Sequence, residues 1–122
     1  SFLGLGDHGE KYSSQAIFLT EQLVHRFSPQ AVGNWDCIVG LRLTYKEKDI
    51  PRLFTLTIHQ GKASLSEGKL PEKGNLLLTM PAGIWAAILL KKKKIESAVL
   101  SGKIKIEGRA EEALKLKAAF GL

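Results

Sequence analysis

Histidine, cysteine and serine are the residues here whose side chains most often do chemistry, and their spacing assembles no familiar site. His8, His25 and His59 share no metal-ligand interval, and there is no His-Glu-x-x-His pair. Cys37 has no second cysteine for a redox couple or a disulfide framework. It alternates with apolar neighbours and reads as a core side chain. Ser13, Ser14, Ser28, Ser64, Ser66, Ser97 and Ser101 are scattered through caps, turns and strands, and none sits in a Gly-x-Ser-x-Gly elbow. Gly4-Leu5-Gly6 follows no strand and its third glycine comes too early for a dinucleotide fingerprint. The expectation is a chain with no catalysis of its own, no cofactor and no metal.

Two stretches carry information of another kind. The first is Ala82-Gly83-Ile84-Trp85-Ala86-Ala87-Ile88-Leu89-Leu90. A surface helix keeps a polar face, and this one has almost none. It is wrapped by protein, pressed on a partner, or lines an apolar cavity. The second is Lys91, Lys92, Lys93 and Lys94, directly after it. Cations suit a helix C-terminus, so a solvated helix end is one reading. Contact with an anionic membrane is another, each basic residue near the surface adding ~1 kcal/mol. Nucleic acid is not expected, since no aromatics are interleaved with the lysines.

The elements that position these stretches follow from periodicity. Ala16, Leu19, Leu23 and Phe27 recur at helical spacing, with Ile17 and Val24 beside them, predicting a helix over 15–27. The Gly-rich residues 1–14 read as a tail or linker and 15–122 as the domain. Residues 35–45 alternate, with Trp35, Cys37, Val39, Leu41, Leu43 and Tyr45 on one side. After a polar turn over 46–51 come a strand over 53–59, a turn at Gln60-Gly61-Lys62 and a strand over 63–67. A loop with Pro71 leads to a strand over 75–80. The apolar helix then begins at Pro81, a position proline tolerates. A short helix over 95–100, a strand at Ile104 and Ile106, and a helix over 109–120 complete the chain. Strands linked by hairpins, with helices towards both ends of the chain, predict an α+β fold: a mainly antiparallel sheet with helices on one face.

Composition allows this and little else. The 122 residues suffice for one core, burying roughly 65–70 % of the unfolded surface. The 18 basic and 12 acidic side chains leave a net charge of +6, a mild bias towards anionic partners. No apolar run approaches the ~20 residues of a membrane span, and no signal-peptide pattern opens the chain. The expectation is a soluble protein, in the cytoplasm. The opening Ser and Gly-rich lead-in suit an excised domain and a tagged free-standing protein alike.

Three features in order resemble the sterol carrier protein 2 (SCP2-like) family. They are the strand Asn75-Leu76-Leu77-Leu78-Thr79-Met80; the apolar helix with the short helix Ile95-Glu96-Ser97-Ala98-Val99-Leu100 after it; and Gly102-Lys103-Ile104-Lys105-Ile106-Glu107-Gly108 running into Ala113-Leu114-Lys115-Leu116. The likeness extends from about residue 18 to the C-terminus. It implies five strands, mainly antiparallel, with helices on one face and a hydrophobic tunnel between them for fatty acids, sterols or other lipids. Carried onto this chain, the lining is Phe18, Leu41, Leu43, Leu56, Leu76, Leu78, Trp85, Ile88, Leu89, Leu114 and Phe120. The same residues serve equally as a closed core. Lys91, Lys92, Lys93 and Lys94 become the membrane-contact candidates.

Departures from the pattern matter. Asn75 replaces a frequent Asp. The family commonly turns on a glycine where the lysines stand, so the apolar helix is expected to run longer here. The chain ends Phe120-Gly121-Leu122, without the Ser-Lys-Leu peroxisomal signal. The family also occurs appended to alkyl sulfatases related to metallo-β-lactamases, which implies a possible covalently attached enzyme domain that receives apolar substrates. The reading is a lipid carrier or accessory domain. The alternative is a non-catalytic interaction or dimerisation domain that uses helix 82–90 as its interface.

Overall fold

The computed structural model describes residues 10–46 and 48–122. Residues 1–9, most of the expected tail, lie outside that range. Residues 10–14 belong to a 3-10 helix, Glu10–Gln15, which packs on the apolar helix.

Helices, in chain order, are α1 (Ala16–Glu21), α2 (Ala82–Leu89), α3 (Ile95–Leu100) and α4 (Ala110–Phe120). Strands are β1 (Cys37–Tyr45), β2 (Lys48–His59), β3 (Lys62–Glu67), β4 (Leu76–Pro81) and β5 (Lys105–Gly108). The helix expected over 15–27 is α only in its middle. The 3-10 segments Glu10–Gln15 and Gln22–Arg26 flank α1. Strand β2 begins earlier than hydropathy suggests. Its polar start is held by backbone pairing, Lys48 opposite Tyr45 and Arg52 opposite Leu43.

The strands form one sheet in the order β3-β2-β1-β4-β5. Every pairing is antiparallel except β1 with β4, which is parallel. Parallel neighbours need a crossover, and residues 68–75 supply it across the outer face. A methyl on Gly40 of β1 would lie 3.1 Å from Pro71 and 3.2 Å from Leu70. Asn75 docks the end of the crossover. Its backbone N–H donates to Ile38 O at 2.7 Å, and its Oδ1 accepts the Ile38 N–H at 2.8 Å. That role needs only an acceptor, so the amide fills the place of a carboxylate.

Strand alternation puts Cys37, Val39, Leu41 and Leu43 on the inner face, with Phe54, Leu56 and Ile58 of β2 and Leu76, Leu78 and Met80 of β4. All are buried. α2 lies among these residues in the core and touches β1 and β4. Among the described residues, no helix is long and apolar enough to cross a membrane.

Candidate functional site

Helix α2 is buried along its whole length. All eight of its residues are covered, and Ile84, Trp85 and Ala86 are 0 % exposed. The sequence requires this, because AGIWAAIL offers water nothing. One face meets the sheet, and the other is covered by α1 and the 3-10 segment before it. The helix therefore has no free face for a partner chain, which goes against the interface reading of 82–90.

Among the described residues, one hydrogen bond from a side chain of α2 crosses this layer. Trp85 Nε1–H donates to Thr20 Oγ1 at 3.0 Å, and Thr20 Oγ1–H donates to Ala16 O at 2.6 Å. Thr20 is fully buried. The indole N–H thus finds the partner that burial demands. Sequence reasoning passed over Thr20, although its spacing from Ala16 and Leu23 places all three on one helical face.

Nine of the eleven lining candidates share this interior. Leu41, Leu43, Leu56, Leu76 and Leu78 occupy adjacent rows of the inner sheet face, with Leu41 opposite Leu78. Trp85, Ile88 and Leu89 come from α2, and Phe120 comes from α4. Phe18 and Leu114 stand apart. They are 62 % and 68 % exposed, on the outer sides of α1 and α4. Each helix turns other residues inward instead: Ala16 and Thr20 in α1, Leu116, Ala119 and Phe120 in α4.

The end of α2 departs from expectation. The helix does not run on through the lysines. Lys91 takes φ +64°, the left-handed region. Its N–H reaches Ile88 O at 3.0 Å, and the Lys92 N–H reaches Ala87 O at 2.8 Å. These two bonds define a Schellman stop, in which glycine usually holds the left-handed position. α3 ends the same way with Gly102 there, at φ +77°. Arg26 ties the region together, donating to Leu89 O and to Gly121 O at 3.0 Å each. Lys91 Nζ also donates to Gly121 O.

The turn wraps the lysines around an open cleft of about 570 Å³. Lysines 91–94 line it with Lys117 of α4, over Ile88, Ile95 and Leu122. Glu96 is the one acidic side chain on its wall and pairs with Lys117.

Elsewhere, His25 is exposed, and His59 Nδ1 lies 3.2 Å from the Asp36 carboxylate at the surface. Burial pushes the Cys37 thiol up to about 12, with the charge of Glu112 adding to the shift. Among the described residues, no three His, Cys, Asp or Glu side chains converge as a metal site.

Comparison with known proteins agrees with this architecture. The model of the SCP-2 sterol transfer family matches residues 20–121. The chain belongs to that family. The SCP-2 domain is a lipid-binding and lipid-transfer fold in general terms. Sterol Carrier Protein 2 Like 2 from Aedes aegypti superposes with a TM-score of 0.67 at 19 % identity, over 88 % of this chain and 94 % of that one. The palmitated solution structure of the Aedes protein gives 0.66 at 20 % identity, over 84 % and 88 %. A double mutant of the sec-alkyl sulfatase PisA1, from Pseudomonas sp., gives 0.72 at 18 % identity. That match covers 85 % of this chain but 16 % of the sulfatase, so this chain spans about a sixth of that polypeptide. No curated protein matches by sequence.

Proposed function

We propose that this SCP-2 domain binds a fatty-acyl or sterol-like lipid between α2 and the inner face of the sheet, and carries or presents it without catalysing a reaction. The observation that carries the reading is α2 itself: eight buried residues with one side-chain hydrogen bond, set against a sheet face of apolar side chains. Leu41, Leu43, Leu56, Leu76, Leu78, Trp85, Ile88, Leu89 and Phe120 are the proposed lining, and a ligand enters by parting the two layers. Phe18 and Leu114 lie outside it.

Burial alone supplies the affinity. An acyl chain of about fourteen methylenes gains roughly 11 kcal/mol at ~0.8 kcal/mol each. A few kcal/mol of ordering cost then leaves micromolar binding, with no polar anchor required. The palmitated Aedes relative supports an acyl ligand in this fold. The likeness to part of a sulfatase favours a second setting for the same activity, an accessory domain that offers apolar substrates to an attached enzyme.

Native mass spectrometry of lipid carried through purification, beside calorimetry with palmitate, tests the proposal. A one-to-one lipid complex with micromolar dissociation is expected. Absence of both carried lipid and measurable heat overturns it.

A further inference from the structure

The cleft at the end of α2 gathers more positive charge than the fold consumes. Five ammonium groups, from lysines 91–94 and Lys117, face one side-chain carboxylate, Glu96. Two of the five are engaged, Lys91 on Gly121 O and Lys117 on Glu96. Among the described residues, no hydrogen bond or ion pair holds the ammonium group of Lys92, Lys93 or Lys94, and Lys93 is partly buried. Like charges held this close repel one another, and the left-handed turn at Lys91 keeps them at one mouth. The floor is apolar, formed by Ile88, Ile95 and Leu122. Ile88 is 1 % exposed and belongs to the same cluster as Trp85 and Leu78. The cleft therefore adjoins the interior proposed for the acyl chain.

We infer that this cleft receives the phosphate head of a single anionic lipid whose acyl chain runs inward past Ile88. The inference rests on the lipid-binding reading above and specifies its headgroup. Charge selects the chemistry. A carboxylate brings one negative charge, whereas a phosphate monoester brings nearly two and three acceptor oxygens, closer to the three uncommitted ammonium groups. Charge-assisted bonds of this kind are roughly twice as strong as neutral ones. An open mouth suits a polar head, and an apolar floor suits the first methylenes behind it.

Lysophosphatidic acid and lysophosphatidylcholine of one chain length, titrated below their micellar concentrations, test this. The expected result is about tenfold tighter binding of lysophosphatidic acid. Replacing Lys92, Lys93 and Lys94 together by Gln should erase that preference and leave lysophosphatidylcholine unchanged; these exposed or partly exposed side chains carry no packing role that would unfold the domain. Equal affinities in the wild type overturn the headgroup site while sparing the acyl-binding reading. A preference that survives the triple substitution overturns it too, by putting the head elsewhere. Inorganic phosphate binding as tightly as lysophosphatidic acid would make this a free-anion site. Binding to phosphatidylserine vesicles without any monomer preference would make it a membrane dock. Failure of both lysolipids to bind removes the underlying lipid reading.

Discussion

Trp85 and Thr20 are joined by a buried hydrogen bond, indole N–H to hydroxyl at 3.0 Å, that links the central helix to the one covering it. Around it, α2 makes only apolar contacts through its side chains, so this bond fixes how α1 sits on α2. Thr20→Val keeps the shape and strands the indole N–H, which should cost about 1–3 kcal/mol. Thr20→Ser keeps the hydroxyl and should cost about 1 kcal/mol for the lost methyl. Urea midpoints of the two variants decide it. Equal losses would show that packing, not the hydrogen bond, is at stake.

The same geometry makes Trp85 a reporter of the interior. Palmitate titrated into the wild type should shift its emission. The shift should shrink sharply in Trp85→Phe, where Trp35 remains, its indole N–H bonded to Glu112. An identical response in both proteins would place the ligand away from α2.

Much of this arrangement was legible in sequence because one face of each central strand is buried and the other is not. Cys37, Val39, Leu41 and Leu43 declare themselves by alternation alone. Leu56, Leu76 and Leu78 do the same. The parallel pairing of β1 with β4 is hidden, since local patterns report hairpins and not crossovers. Phe18 and Leu114 mislead because hydrophobicity does not say which side of a helix turns inward. Thr20 escapes notice for the converse reason: a polar side chain is buried to serve an indole 65 positions away. The cleft joins lysines 91–94 to Lys117 and Leu122, which only the folded chain brings together.

Cys37 gives a pH signature. The thiol ionises near 9 when unfolded and is pushed up to about 12 by burial and by Glu112 in the folded protein. A folded state that holds its proton longer is stabilised below the unfolded value, and loses that stability as pH rises from about 9 towards 12. Stability measured at pH 8 and pH 11 should therefore fall less in Cys37→Ala than in the wild type. Equal falls would assign the alkaline loss to other groups.

Gly108 and Gly40 should respond differently to alanine. At Gly108 a methyl would lie 2.3 Å from the backbone oxygen of Asn75, at φ +129°. Neither partner can yield without breaking the β4–β5 register, so a loss of about 2–4 kcal/mol is expected. At Gly40 the neighbours are side chains of Leu70, Pro71 and Leu77 at 3.1–3.2 Å, which can shift. About 1 kcal/mol is expected there. Chemical denaturation of both variants would refute the contrast if Gly40→Ala proved the worse.

Lys91 makes the most counter-intuitive prediction, that removing a lysine from the cleft stabilises the fold. Its φ of +64° costs an L-residue roughly 1–2 kcal/mol, which glycine escapes. Glycine gives back part of this through its freer unfolded chain. The ammonium contact to Gly121 O is also lost, but it is exposed and worth little. The balance for Lys91→Gly is a gain of about 1 kcal/mol, or about 4 °C in Tm for a domain of this size. Lys91→Ala separates the terms, because it loses the same ammonium and keeps the strained backbone. It should be neutral or slightly destabilising. If glycine and alanine shift Tm alike, the left-handed position carries no strain, and the stop at the end of α2 is held by its two backbone bonds alone.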